Sequence, residues 1–290
     1  MRLTHTQAVW LMVMAALLWS IAGVVTRQLE SARSFEVTFW RSLFTALSLL
    51  LILPIWQGRR VWRKFGERTP ALWISGVCWS LMFTAFMLAL TLTSVANVLL
   101  TMALGPMFTA LLARFFLGHR LAWFTWLSIV LAGAGMAWMF AAQAQSAGWW
   151  GTVVALGVPL GAAVNWNVVQ QAHAKGQDVD LVPSVLIGAT LSALYTLPFA
   201  LPLQATMHDV GLLAMLGLVQ LAIPCVLAVL SARVLMSPEM ALLALLEVVF
   251  GILLAWIGAG ETPGTNVLSG GALVLAALVI NELLGWKLRR

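Results

Sequence analysis

Apolar runs of about twenty residues, nearly unbroken, recur along this chain from one end to the other, and they limit what it can fold into more than any other feature. They fall at about 8–26, 37–56, 71–92, 95–116, 121–142, 149–171, 182–203, 210–232, 239–258 and 267–286, each bounded by charge, proline or glycine. None shows the alternation of a roughly ten-residue barrel strand. Each is long enough to cross a ~30 Å hydrocarbon layer as a helix. The longest gap, Gln57 to Pro70, leaves no room for a domain outside the membrane. With 62% hydrophobic and 9% charged residues, a soluble catalytic domain or nucleic-acid reader could not cover itself with water-facing groups. The expected fold is therefore an all-α membrane protein of ten transmembrane helices, with lipid rather than nucleic acid around it.

The net charge of +6 serves orientation. If loops are assigned alternately to two sides, one side holds Arg2, Arg59, Arg60, Arg63, Lys64, Arg68, Arg114, Arg120, Lys175, Arg233, Lys287, Arg289 and Arg290. The other holds Arg27 and Arg33. Cytoplasmic loops retain positive charge, so both termini are expected in the cytoplasm. The first run is longer than the core of a signal peptide and lacks a small-x-small cleavage site, so it is read as the first retained helix. Cys78 and Cys225 lie inside apolar runs with no ligand-spaced partner, and read as free core thiols.

Shifting the sequence by 142 residues lays the first five runs on the last five; Glu36 meets Asp178, and Leu117-Gly118-His119 meets Ala259-Gly260-Glu261. Two units are expected, 1–143 and 144–290. Five is odd, so two similarly folded units would lie upside down relative to each other. Secondary transporters follow that plan, with substrate bound near the midplane between the halves.

The fourth and ninth runs carry Leu104-Gly105-Pro106-Met107-Phe108-Thr109-Ala110-Leu111-Leu112 and Leu246-Glu247-Val248-Val249-Phe250-Gly251-Ile252-Leu253-Leu254. About ten residues on stand Gly118-His119 and Gly260-Glu261. Together with Ala15-Ala16-Leu17-Leu18-Trp19-Ser20 and Phe39-Trp40-Arg41, this pattern resembles the drug/metabolite transporter superfamily, in its EamA-type ten-helix exporters. His119 and Val248 depart from it, standing where the family usually has Glu and Pro. The resemblance implies an exporter of small metabolites in a bacterial inner membrane, nearest to the amino-acid exporter branch, aromatic amino acids included.

Polar side chains within the runs are the candidate site, because each needs a partner or water in hydrocarbon. Asn97, Thr101, Gly105 and Thr109 recur every four residues on one helical face. Asn97 and Thr101 are read as lining a cavity, with close packing and hydroxyl return to the backbone as the competing account. Asn165 follows the small residues Gly157 and Gly161. Gln220 stands one turn before Pro224, placed either to satisfy backbone freed by the proline or to contact substrate. Most of the fifteen tryptophans sit near run ends, where indole favours the headgroup level. Trp19, Trp79 and Trp166 lie deeper, and Phe83 and Phe86 share a helical face with Trp79. These offer an aromatic wall or ordinary packing.

Two charges fall within runs. Arg41 and Glu247 are assigned to gating or coupling. A mutual pair, the two ends of a bound zwitterion and proton carriage by Glu247 remain alternatives; a direct pair would span a depth difference of about 10 Å. Histidines stand only at run ends or in loops, and no phosphate-binding loop, zinc spacing or nucleophile triad lies within a span. No cofactor or metal is expected, and the chain is read as not an enzyme. The function expected is export of small amphipathic metabolites, amino acids foremost, by alternating access. Export of drugs, nucleotide sugars or lipids is the alternative within the class, and a membrane enzyme or structural membrane protein the alternative outside it.

Overall fold

In the computed structural model, residues 3–58, 62, 69–117, 123–143, 149–174, 182–235 and 237–288 are described, and among them there is no strand. The helices are α1 (His5–Trp19), α2 (Ile21–Thr26), α3 (Ser34–Gln57), α4 (Pro70–Leu92), α5 (Val95–Met102), α6 (Gly105–Leu117) and α7 (Trp123–Gln143). Then follow α8 (Trp149–Ala155), α9 (Gly157–Ala174), α10 (Val182–Ala200), α11 (Met207–Met215), a π-helical segment (Leu216–Ala222), α12 (Ile223–Ser231), α13 (Ser237–Ala259) and α14 (Thr265–Leu288). Each predicted run coincides with one helical tract, single or broken. Among the described residues, seven tracts are long and apolar enough to cross a membrane; α7, α13 and α14 contain shorter apolar stretches, Trp126–Gly135, Leu246–Ala259 and Leu268–Ala277. The predicted boundary between residues 143 and 144, the pair Gly118-His119 and most of the basic stretch from Gln57 to Pro70 lie outside the described residues.

Local chemistry sets the helix ends. Thr4 and Gln7 form a reciprocal capping box at the start of α1. Pro70 opens α4, where a missing N–H costs nothing. Ser94 and Thr206 accept from the N–H groups of Asn97 and Asp209, starting α5 and α11. Gly58 and Gly260 follow α3 and α13 with φ of 68° and 64°, a region that disfavours any side chain.

Four tracts are irregular where the sequence suggested continuous helices, and proline accounts for three. A proline four residues on has no N–H to give the preceding turn. Pro106 thus fails Met102, and the chain turns at Ala103-Leu104 between α5 and α6. Pro159 fails Ala155, the last residue of α8. Pro224 fails Gln220, inside the π-helical segment. The break between α1 and α2 falls at Ser20, whose hydroxyl donates to the carbonyl of Leu17 at 2.6 Å.

The packing is arranged in two equivalent sets. The α1–α2 tract packs on the α11–α12 tract and α13; correspondingly, α8–α9 packs on α4 and on α5–α6. The α3 helix lies on α10 and the π-helical segment, and α10 lies on α3 and α4. Counterparts in this scheme run antiparallel where they meet. Phe35 and Ser42 of α3 face Phe199 and Ser192 of α10. Val95 and Leu99, along α5, meet Glu261 and Gly251, back along α13.

Small residues permit the closest approaches. A Cβ on Gly188 of α10 would sit 2.4 Å from Trp79 Cβ, 2.9 Å from Ser80 N and 3.0 Å from Gly76 O, mostly backbone that has nowhere to go. We expect Gly188→Ala to push α10 from α4 and to lower stability by roughly 1–3 kcal/mol, the usual range for overpacking. Thermal unfolding in detergent checks it, and an unchanged midpoint would contradict this packing.

Candidate functional site

The four irregularities converge on one place. A cavity of about 1000 Å³, counting its open side, is lined at Trp19 by the end of α1 and at Met102, Ala103 and Gly105 by the turn between α5 and α6. Val158 and Pro159 of α9 line it too, as do Gln220 and Leu221 of the π-helical segment. Breaks of this kind expose backbone and re-aim side chains only where protein or a cavity receives them.

One wall is aromatic. Trp79, Phe83 and Phe86 of α4 line it together with Met82, and the rings of Trp79 and Phe83 lie 5.5 Å apart. Trp19 and Trp166 face the space from α1 and α9. Trp166 also packs with Trp19 against the cluster around Met12, Ala15 and Leu235. The lining runs from here past Thr109, Trp166 and Ala244, toward the end of the bundle that carries Arg114 and Arg233.

Polar chemistry is concentrated at three side chains. Arg41 is fully buried, donating to Gln220 Oε1 at 3.2 Å and to the carbonyl of Phe83 at 2.9 Å; its Nε–H has no partner. The guanidinium also lies over the rings of Phe83 and Phe86, at 5.9 and 5.7 Å from their centroids. Gln220 Nε2 donates 3.2 Å to the carbonyl of Trp19, so this amide joins the end of α1 to Arg41. Its donor thus goes to α1 rather than to the backbone of its own tract. Glu247 lines the cavity from α13 and is 7% exposed. The donors of Arg41 go to Gln220 and Phe83 rather than to this carboxylate.

Of the residues read from the sequence, Trp19, Trp79, Phe83, Trp166, Gln220, Arg41 and Glu247 are brought together around one space. Asn97, Thr101 and Asn165 are placed elsewhere. Thr101 returns its hydroxyl to the carbonyl of Asn97 at 2.7 Å, and the Asn97 amide donates to Thr93 Oγ1 at 3.0 Å. Asn165 accepts from Ser75 Oγ at 2.6 Å, and Ser75 in turn meets Ser184, tying α4, α9 and α10 together. Their four-residue and small-residue spacing marks helix packing. Met82, Met102 and Pro159 line the space without having been singled out, as do Cys225 and Val248, which the sequence marked only as a core thiol and a departure from the family pattern. Met82 shares the helical face of Trp79 and Phe86, a signal the spacing did hold. Both cysteines are free and buried.

No curated protein matches the chain. A solved crystal structure superposes over 99% of this chain and 100% of its own with a TM-score of 0.69, at 19% identity, a likeness that shows the fold. Residues 6–141 match the EamA-like transporter family, whose members are multi-helix membrane proteins. That segment is a little under half of the chain, which through it, and in its apolar helices, is similar to this family of membrane transporters.

Proposed function

We propose that the protein exports small amphipathic metabolites, amino acids foremost and aromatic ones among them, across a bacterial inner membrane by alternating access of two inverted five-helix units, residues 1–143 and 144–290. The observation that carries this is the cavity itself: an aromatic wall with one guanidinium and one carboxylate, at the level where the tracts are broken. The interchange of packing partners between the first and last five tracts, with antiparallel counterparts, supports inverted units. The excess of Lys and Arg on one side supports cytoplasmic termini.

In this reading Trp19, Trp79, Phe83 and Trp166 hold the apolar side chain of the substrate. Gln220 and Glu247 offer hydrogen bonds and negative charge to its polar end, and Arg41 supplies the compensating cation. Asn97, Thr101 and Asn165 act in packing. No covalent step is required, and no cofactor or metal enters. The acid at the cavity favours a substrate bearing an ammonium group over a purely anionic one, such as a sugar nucleotide.

Counterflow in liposomes tests it. Protein preloaded with unlabelled tryptophan is expected to accumulate labelled tryptophan transiently, and Trp79→Ala to slow this severalfold while still folding and inserting. Absence of counterflow with tryptophan, phenylalanine and leucine alike, from correctly folded protein, would overturn the amino-acid assignment.

A further inference from the structure

The end of the bundle carrying Arg27 is held shut by polar ties, each joining a first-half element to a second-half one. Asp209, in the first turn of α11 and fully buried, accepts from the backbone N–H groups of Glu30, Ser31 and Ala32 at 2.8, 3.0 and 2.9 Å. The Ser31 hydroxyl adds a fourth contact at 3.2 Å. Glu36, in the first turn of α3 and 1% exposed, accepts through Oε1 from the N–H groups of Gln204 and Ala205 at 2.8 and 2.7 Å. The grips are crossed. Each acid stands on one half and holds the loop that leads into the helix carrying the other acid. A third tie lies beside them: Arg27 pairs with Glu261 at 3.1 Å and donates to the carbonyls of Leu90 and Thr93, while Glu261 Oε1 takes the N–H of Val95.

We propose that Glu36 and Asp209 are the releasable clamps of an accessibility gate, holding this end closed while the cavity is reached from the opposite end; this rests on the alternating-access reading above. Ordinary loop anchoring would be served by apolar side chains, which resist re-exposure. A carboxylate bound to backbone N–H groups behaves differently: water can replace the same donors when the end opens, so closure is firm and opening is not penalised by stranded apolar surface. Glu36 Oε2 is buried with no partner, so this clamp is held less completely than that of Asp209 and releases first. The Arg27–Glu261 pair is partly exposed and contributes less.

The test reads accessibility, which needs no substrate. Phe86→Cys, on the cavity wall, is placed in a chain carrying Cys78→Ala and Cys225→Ala, and is challenged with a membrane-impermeant maleimide from each side. With the clamps intact, labelling is expected from the side opposite Arg27 only. With Glu36→Ala and Asp209→Ala, labelling from the Arg27 side rises roughly tenfold, the effect of shifting the conformational balance by about 1.4 kcal/mol. Unchanged sidedness in a double variant that folds overturns the gate. If that variant does not fold, the second arm decides. Ser31→Cys and Gln204→Cys, whose parent side chain and carbonyl lie 3.1 Å apart, are bridged by a short bis-methanethiosulfonate reagent, each thiol displacing a sulfinate to form a disulfide that a reductant cleaves. Bridging is expected to stop tryptophan counterflow and cleavage to restore it; full counterflow in the bridged protein overturns the proposal. Loss of counterflow in the unbridged protein, with sidedness still responding to the clamps, instead counts against the amino-acid reading.

Discussion

Arg41→Met is expected to give a protein that inserts and folds with a thermal midpoint at or above that of the wild type, while tryptophan counterflow falls at least roughly tenfold. The first half of this expectation follows from what surrounds the guanidinium. It is completely buried, is offered two acceptors, neither of them an anion, and leaves Nε–H unsatisfied between the rings of Phe83 and Phe86. A buried charge so incompletely matched costs folding free energy, and an unbranched apolar side chain of similar length removes the cost while keeping contact with the rings. The second half follows from position. Arg41 joins α3 to the π-helical segment and, through Gln220, to the broken end of α1, three elements that line the cavity. A costly group that stability does not need is retained for something else. A stable, fully active Arg41→Met protein would remove Arg41 from the transport cycle, and an unfolded one would make it a structural brace.

The fold was largely legible because lipid imposes a simple rule: twenty apolar residues need a helix, and every predicted run coincides with a helical tract. The cavity was legible where bulk and charge are conspicuous. Trp19, Trp79, Phe83, Trp166, Arg41 and Glu247 stand out in apolar runs because each is expensive or oversized there. Asn97, Thr101 and Asn165 stand out equally by type, yet the Asn97 amide goes to Thr93 and the Thr101 hydroxyl to the Asn97 carbonyl, each four residues back, and Asn165 is met by Ser75 of another helix, which spacing along one helix does not reveal. A stripe of small and polar residues looks the same whether it faces a cavity or a neighbour. Pro106, Pro159 and Pro224 held a stronger signal, since each removes a helix donor close to cavity-lining positions, Met102, Val158 and Gln220 among them. The clamps at Glu36 and Asp209 were beyond reach, because they bind backbone about 170 residues away.

Glu247→Gln separates the roles left open for the acid. The substitution preserves shape and removes the charge, and the carboxylate sits at the cavity wall rather than in a helix contact, so the thermal midpoint is expected to stay near that of the wild type. Counterflow of tryptophan is expected to fall by roughly one to two powers of ten, since hydrogen bonds to a charged group contribute about 1.5–3 kcal/mol. N-acetyltryptophan keeps the indole and the carboxylate but lacks an ammonium group. If Glu247 receives that ammonium, the wild type carries the acetylated compound poorly and Glu247→Gln narrows the gap, because the repulsion between two carboxylates disappears along with the favoured contact. If Glu247 serves only to balance Arg41 across the cavity, both compounds lose flux in equal proportion, as removal of either charge then leaves the other unbalanced in a medium that screens poorly. The ratio of the two fluxes therefore decides between recognition and compensation, whatever the absolute rate.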